Sequence, residues 1–372
     1  MAGCGAPFGG TFLESGNSSQ LNQLMARAAA KKKRGKPHSP TRLIVGSFLG
    51  VILGGTLLLL LPFSTPDGIG VLDALFTATS ATCVTGLVVR DTYQGFTGFG
   101  QGVIICLIQI GGLGLVTLAS FFALALRRRA SFHSMKLASE SINTSDVAEA
   151  RKLLFVVMKL AALFEGVGAL LLAPVFVPEY GPQGICISVF LAISAFCNAG
   201  FDILSFIPGN SSLSAFNGDP LVTLTIAMLI IIGSTGFVVF QDIYRKKIST
   251  RLHRQHVEKL SFHAQVCLRA SLTLLVFGTV MLFILEYNNT YRDLNFFEKL
   301  NAAFFQSVNT RTAGFASVSI KQETDGAKLL TSFLMFIGGC PGSTAGGIKV
   351  TTLVVLFAAV KSTLCGEDTT TF

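Results

Sequence analysis

The sequence predicts an all-α polytopic membrane protein. In it, a unit of span, re-entrant half-helix with its loop, and second span occurs three times around a pseudo-symmetric pore. Three observations carry this expectation. Hydrophobic residues make up 51% of the 372 positions and charged residues 13%, with a mean hydropathy of +0.62, far more apolar than a soluble domain. Several apolar runs reach the roughly 20 residues needed to cross a hydrocarbon core. Finally, Ser80-Ala81-Thr82-Cys83-Val84-Thr85-Gly86 recurs as Ser194-Ala195-Phe196-Cys197-Asn198-Ala199-Gly200, and more loosely as Ser307-Val308-Asn309-Thr310-Arg311-Thr312-Ala313-Gly314. The closing glycines are 114 residues apart at both steps, and a fixed period marks internal repetition.

Taken in order, residues 1–41 are small, polar and basic, ending near Lys31-Lys32-Lys33-Arg34, and read as a cytoplasmic arm. The first apolar run starts too far from the N-terminus, and is too long, for a cleaved signal peptide. The first unit covers residues 42–129: an outward span at 43–63, a half-helix at 71–82, and a return at 99–126 that stops at Arg127-Arg128-Arg129. Its Ile110-Gly111-Gly112-Leu113-Gly114 cluster lets another backbone approach closely. After a linker at 130–150, the second unit (151–247) goes out at 152–177, forms a half-helix at 184–196 and returns at 221–240. Ile232-Gly233-Ser234-Thr235-Gly236 echoes the earlier glycine cluster, and Arg245-Lys246-Lys247 ends the unit. A linker at 248–262 leads to the third unit (263–372), with a span at 265–285, a half-helix at 296–308 and a return at 327–359.

The net charge of +9 lies mainly beside the spans, where cytoplasmic loops carry Lys and Arg. This places the N-terminus in the cytoplasm of a multi-pass protein of the cell inner (plasma) membrane, with membrane lipid as its surroundings. No aromatic-interleaved basic surface is present, so nucleic acid is not an expected partner. The eight cysteines form no C-x-x-C pair, which suggests neither a disulfide framework nor a zinc site. His253 and His256, with His263 downstream, could ligate a metal, but a solvated linker is the preferred reading. Glu165 falls within a span, where a carboxyl is a functional candidate; neutral packing against a neighbouring helix is the competing reading.

The glycine loops point to ion chemistry. A desolvated monovalent ion in hydrocarbon is costly, and rings of backbone carbonyls offset that cost by replacing its water. Turning consecutive carbonyls inward requires backbone angles that glycine reaches without a Cβ clash. The half-helices add the partial negative charge of their C-terminal ends. Irregular backbone at membrane depth is tolerated only when buried in protein or lining a watery cavity. The residues expected to form the filter are Thr82, Cys83, Val84, Thr85 and Gly86; Cys197, Asn198, Ala199 and Gly200; and Asn309, Thr310, Thr312, Ala313 and Gly314. Arg311 sits inside the third loop, where bracing by hydrogen bonds to nearby carbonyls is favoured over a charge barrier in the pore.

The third return differs. Gly338-Gly339-Cys340-Pro341-Gly342-Ser343-Thr344-Ala345-Gly346-Gly347 holds five glycines and a proline in ten residues, which cannot sustain a helix. The P-loop pattern is absent, so the segment is not a phosphate cradle. It is expected to be a gate, with Gly338, Gly339, Pro341, Gly342, Ser343, Thr344, Gly346, Gly347 and, just past them, Lys349 as its elements. Lys349 follows it, 12 residues from Lys361 and so about 18 Å away along a helix. That is far for snorkelling, so Lys349 is expected to face protein.

These residues together resemble the Trk/Ktr/HKT superfamily of potassium transporters. The resemblance runs from about Arg42 onward and is closest to the Ktr-type membrane subunit. It is carried by Thr82-Cys83-Val84-Thr85-Gly86, by Asn309-Thr310-Arg311-Thr312-Ala313-Gly314-Phe315, and by Gly342-Ser343-Thr344-Ala345-Gly346-Gly347-Ile348-Lys349. It implies that Gly86, Gly200 and Gly314 are filter glycines holding K+ on backbone carbonyls, and that Gly338–Gly347 is an intramembrane gating loop. It further implies a homodimer, a cytoplasmic nucleotide-binding regulatory subunit, K+ as the transported ion, Na+ as a stimulating ion, and no covalently bound cofactor. Such families carry four units, and the sequence supplies three, so a fragment of a longer chain is expected. Two alternatives stay open: a Na+-permeable or non-selective cation pathway, and the channel-like subunit of an ATP-driven potassium pump. An enzyme is not expected, since no His-Glu-x-x-His, Gly-x-Ser-x-Gly or phosphorylated-Asp motif occurs.

Overall fold

A computed structural model describes residues 40–114, 147–207, 212–237, 239–240, 242–243 and 260–365. The chain divides into two units, Met1–Leu43 and Ile44–Phe372, and the first lies almost wholly outside the described residues. So do Arg127-Arg128-Arg129, Arg245-Lys246-Lys247, His253 and His256. Among the described residues the structure is helical, with a single isolated bridge and no named strand.

Helix α1 (Pro40–Leu59) ends four residues earlier than expected. Pro62 disfavours helical angles in the residue before it, and the chain instead turns, with Ser64 Oγ donating to the Leu58 carbonyl at 2.6 Å. The short α2 (Val71–Thr82) carries Asp73 in its first turn, where the helix dipole favours an anion. Helix α3 (Gly98–Gly112) starts at Thr97, whose side chain accepts from Gly100 N. Helix α4 (Val147–Tyr180) runs 34 residues through Pro174 and Pro178. The left-handed Gly181 (φ 59°) separates it from α5 (Pro182–Phe196), which opens on a proline, the residue suited to a first helical turn. Asp219 caps α6 (Pro220–Thr235) by accepting from Leu221 N at 2.8 Å. Ser261 caps α7 (Phe262–Glu286), and a reciprocal Asn295–Glu298 capping box starts α8 (Phe296–Asn309). Helices α9 (Asp325–Phe336) and α10 (Val350–Leu364) flank an irregular segment.

The short helices lie at the centre. Helix α2 packs on α3; α5 packs on α3, α4 and α6; and α8 packs on α6 and α7. One buried cluster joins Ala78 and Ala81 of α2, Leu191 and Ala195 of α5, and Phe305 and Val308 of α8. Large apolar side chains instead face outward from the longer helices, among them Leu163 and Leu170 of α4 and Leu272 and Val276 of α7. Among the described residues, two helices, Phe155–Tyr180 and Phe262–Glu286, are long and apolar enough to cross a membrane.

One returning span is interrupted, and another is described only in part. Helix α3 is capped at Leu113, and residues 115–126 lie outside the described set. Helix α6 breaks at Gly236 (φ 89°), because Phe237 N donates at 3.0 Å to the Gly342 carbonyl rather than along its own helix. The two glycine clusters do permit close approach. A Cβ on Gly111 would overlap the Thr82 carbonyl at the end of α2, and one on Gly233 would overlap the Phe196 carbonyl at the end of α5.

Gly111→Val therefore forces α2 and α3 apart, and overpacking of this kind costs roughly 1–3 kcal/mol. The midpoint of thermal unfolding in detergent is expected to fall. Gly102→Val, on the same helix with open space at its Cβ, leaves the midpoint in place.

Candidate functional site

Each short helix ends in a loop of the same backbone form. After α2, Val84 (φ 55°) and Gly86 (φ 72°) are left-handed; after α5, Asn198 (φ 56°) and Gly200 (φ 70°); after α8, Thr312 (φ 60°) and Gly314 (φ 85°). Asparagine tolerates this region, but a β-branched residue there costs about 1–2 kcal/mol. Val84 and Thr312 hold it because each loop folds back on its own helix. Thr85 N donates to Ser80 O at 3.0 Å, Ala199 N to Ser194 O at 2.8 Å, and Ala313 N to Asn309 O at 3.1 Å. Thr85 Oγ1 adds a bond to Ser80 Oγ at 2.9 Å, and Asn309 Oδ1 accepts from Phe315 N at 2.8 Å. The left-handed position two residues before each glycine was invisible in the sequence, where Val, Asn and Thr share no composition.

The loops meet. A Cβ on Gly86 would stand 2.6 Å from the Ala199 carbonyl oxygen and 3.5 Å from Gly200 Cα, and one on Gly200 would stand 2.8 Å from Gly314 Cα. Asn198 Nδ2 donates to the Arg311 carbonyl at 3.0 Å, which ties the second loop to the third. Thr82, Cys197, Asn198, Ala199, Asn309, Thr310 and Ala313 are buried, while Cys83 is exposed. No acidic side chain occurs at 82–86, 197–200 or 309–314. What the arrangement presents is peptide oxygen, together with three helix C-terminal ends that carry partial negative charge.

The segment between α9 and α10 folds against this cluster. Its ends are joined by a parallel bridge, Ile337 to Ile348, with Gly338 N donating to Ile348 O at 3.0 Å and Ile348 N to Phe336 O at 3.1 Å. The broken end of α6 holds its middle: Cys340 N donates to Ser234 O at 2.9 Å, Thr344 N to Gly233 O at 3.3 Å, and Phe237 N to Gly342 O. Thr344 Oγ1 lies within hydrogen-bond reach of Phe196 O (3.1 Å) and Asn198 Oδ1 (3.2 Å). Gly346 N donates to Thr312 Oγ1 at 2.9 Å. Gly339 is confined by Ala345 and the Ser234 carbonyl, Gly347 is left-handed (φ 70°), and Pro341 O faces Gly236. Ser343 Oγ is buried without a partner.

The three singled-out charges each find oxygen or amide partners. Arg311 is buried and its Nη2 donates to the Ser271 carbonyl of α7, so it braces the loop against a helix. Lys349 Nζ donates to Ala345 O at 2.7 Å, inside the segment itself. Glu165 accepts from Gln109 Nε2 with both oxygens, at 2.9 and 3.0 Å, and Gln109 Oε1 accepts from Cys197 Sγ at 3.6 Å. That relay from α4 through α3 to the second loop links residues 56 and 88 positions apart, beyond the reach of spacing arguments. His263 lies 3.7 Å from Cys267 Sγ.

Comparison with known proteins gives concordant matches. The model of the TrkH cation transport protein family matches residues 22–371. The chain is 38% identical over 341 residues to the potassium/sodium uptake protein NtpJ of Enterococcus hirae, covering 91% of this chain and 73% of that protein. It is 41% identical over 332 residues to the Ktr system potassium uptake protein B of Vibrio alginolyticus, covering 88% and 70%. Among solved structures, the crystal structure of the potassium transporter TrkH from Vibrio parahaemolyticus superimposes with a TM-score of 0.65 at 19% identity. The match covers 91% of this chain and 66% of that one, and shows a shared fold.

Thr344→Val keeps the shape of the side chain and removes its hydroxyl donor. Backbone amides of residues 338–347 are expected to exchange hydrogen faster in the variant, since local opening follows the contacts that resist it. Unchanged protection would show that the hydroxyl does not fasten the segment.

Proposed function

The chain belongs to the TrkH family of cation transport proteins, and from that premise we propose that it is the membrane subunit of a gated potassium uptake system. The reading is carried by one observation: the left-handed glycines of three loops stand side by side, Gly86 against Gly200 and Gly200 against Gly314. Left-handed glycines, free of a Cβ, let each loop turn carbonyls toward the shared centre. Residues 82–86, 197–200 and 309–314 then line a filter in which carbonyl oxygens replace the hydration shell of K+. On this reading the three units of the sequence surround one pathway in the plasma membrane, with the basic arm cytoplasmic. The protein moves an ion and performs no covalent chemistry.

Residues 338–347 act as the gate. Their contacts with Phe196, Asn198 and Thr312 set the segment directly against the second and third filter loops. Its displacement is the step on which a cytoplasmic nucleotide-binding regulatory subunit would act, with a second copy of the chain as the other expected partner. A pathway that also passes or responds to Na+ has specific support, since a relative 38% identical is named a potassium/sodium uptake protein.

Reconstitution into proteoliposomes decides between the two ions. Rubidium flux is expected to exceed sodium flux, and equal permeability would overturn the selectivity. Gly86→Ser introduces a Cβ at a left-handed position against the Ala199 carbonyl. It is expected to lower the rubidium-to-sodium ratio about tenfold, or ~1.4 kcal/mol, while Gly218→Ser, with open space at its Cβ, leaves the ratio unchanged.

A further inference from the structure

A buried carboxyl pair beside the third loop is left unused by this reading. Glu286, at the end of α7, is fully buried and accepts five hydrogen bonds. They come from Thr324 N (2.8 Å), Thr324 Oγ1 (2.6 Å), Asn289 Nδ2 (2.8 Å), Thr290 N (3.3 Å) and Thr290 Oγ1 (2.8 Å). Such a donor set suits an ionised carboxylate. Glu323, next to Thr324 in sequence, is 4% exposed and receives one donor, Gln306 Nε2 at 2.9 Å. Its Oε2 is buried without a partner, and so is Gln306 Oε1. A joined amide and carboxyl that each leave a bare acceptor in a dry site constitute a defect, since a buried unpaired polar atom costs about 1–3 kcal/mol. One proton on Glu323 Oε2 supplies the donor that two such bare acceptors lack.

We infer that Glu323 keeps its proton in the folded protein well above the ordinary carboxyl range, up to near-neutral pH, and through it positions Gln306 and the turn from which the third loop leaves α8. Gln306 is fully buried in the last turn of α8, and its carbonyl accepts from Thr310 N at 3.1 Å. Ionising Glu323 leaves a buried charge on the group that Gln306 Nε2 holds, and Gln306 lies in the turn that leads to Asn309 and Thr310. The charged and titratable groups facing Glu323 are Glu286, Tyr291 in the turn after α7, and Lys328 on α9. Lys328 is itself paired with Asp325 at 3.8 Å. Burial, and secondly the Glu286 charge, push the Glu323 carboxyl up to about 7, against a weaker opposing pull from Lys328. The two neighbouring acids are thus driven apart in protonation by their surroundings, as in paired catalytic carboxyls.

The sign follows from linkage. Between its unfolded value and about 7 the folded state binds the extra proton, so this contribution to stability is full at low pH and lost as pH rises through that window. Glu323 acts through Gln306 and is a positioning residue. The consequence for ion flux rests on the transport reading above, while the protonation itself does not.

Two measurements test it on the full chain in proteoliposomes, with pH set equally on both faces. Infrared difference spectra between about pH 6 and about pH 8 are expected to show loss of a carboxylic-acid carbonyl band. Glu323→Gln, an uncharged mimic of the protonated acid, is expected to diminish that loss. Rubidium uptake of the unaltered chain falls over the same range, whereas Glu323→Gln holds the low-pH rate throughout. Absence of a titrating acid band in the unaltered chain overturns the inference without any variant. A pH profile that Glu323→Gln leaves intact also overturns it. A titrating Glu323 band in vesicles that pass no rubidium upholds the protonation and defeats the transport reading instead.

Discussion

The structure depends on three stretches of bare backbone that meet in series, the first against the second and the second against the third. Gly86, Gly200 and Gly314 have no side chain to keep their neighbours away, and a methyl group at any of them would press on a peptide unit of the next loop. Irregular backbone is costly in an apolar setting unless its polar groups are engaged. Here each loop bonds back to its own helix, and Asn198 bonds across to Arg311. The surrounding helices serve this arrangement by fixing where the three short helices end. Gly111 and Gly233 admit the terminal carbonyls of α2 and α5 at contact, and Arg311 reaches α7.

The interrupted helix between Phe336 and Val350 is the counterpart of that closeness. Three of its contacts go to the broken end of α6, three reach the second and third loops, and Cys340 Sγ reaches Ser271 and Cys267 of α7. Each hydrogen bond contributes roughly 0.5–1.5 kcal/mol net. The full set therefore holds the segment by a few kcal/mol, a quantity comparable with the coupling energies by which partners shift conformations. A segment held this firmly has one resting position, and a segment held no more firmly can be moved by binding elsewhere.

Much of this was legible in the sequence, for identifiable reasons. The glycine period of 114 residues and the glycine–proline run at 338–347 express backbone requirements, and backbone requirements leave compositional marks. The approximate extents of α2, α5 and α8 followed from short apolar runs bounded by polar or glycine residues. What stayed hidden was relational. Val84, Asn198 and Thr312 share a conformation but no chemistry. The break in α6 comes from a carbonyl supplied by Gly342, 105 residues away from Phe237 in the chain. The partners of Arg311, Glu165 and Glu323 lie on other helices, and a single sequence carries no trace of such pairings.

The bridge between Ile337 and Ile348 has a mechanical implication. It closes the irregular segment into a hoop whose base is stapled by its own peptide groups, separately from the bonds that attach its crown to α6 and to the loops. Releasing the crown leaves the staple shut, so the two flanking helices keep their register. A hoop of fixed circumference can tilt without unravelling, and a small tilt exchanges which of its atoms lie beside Asn198 and Thr312.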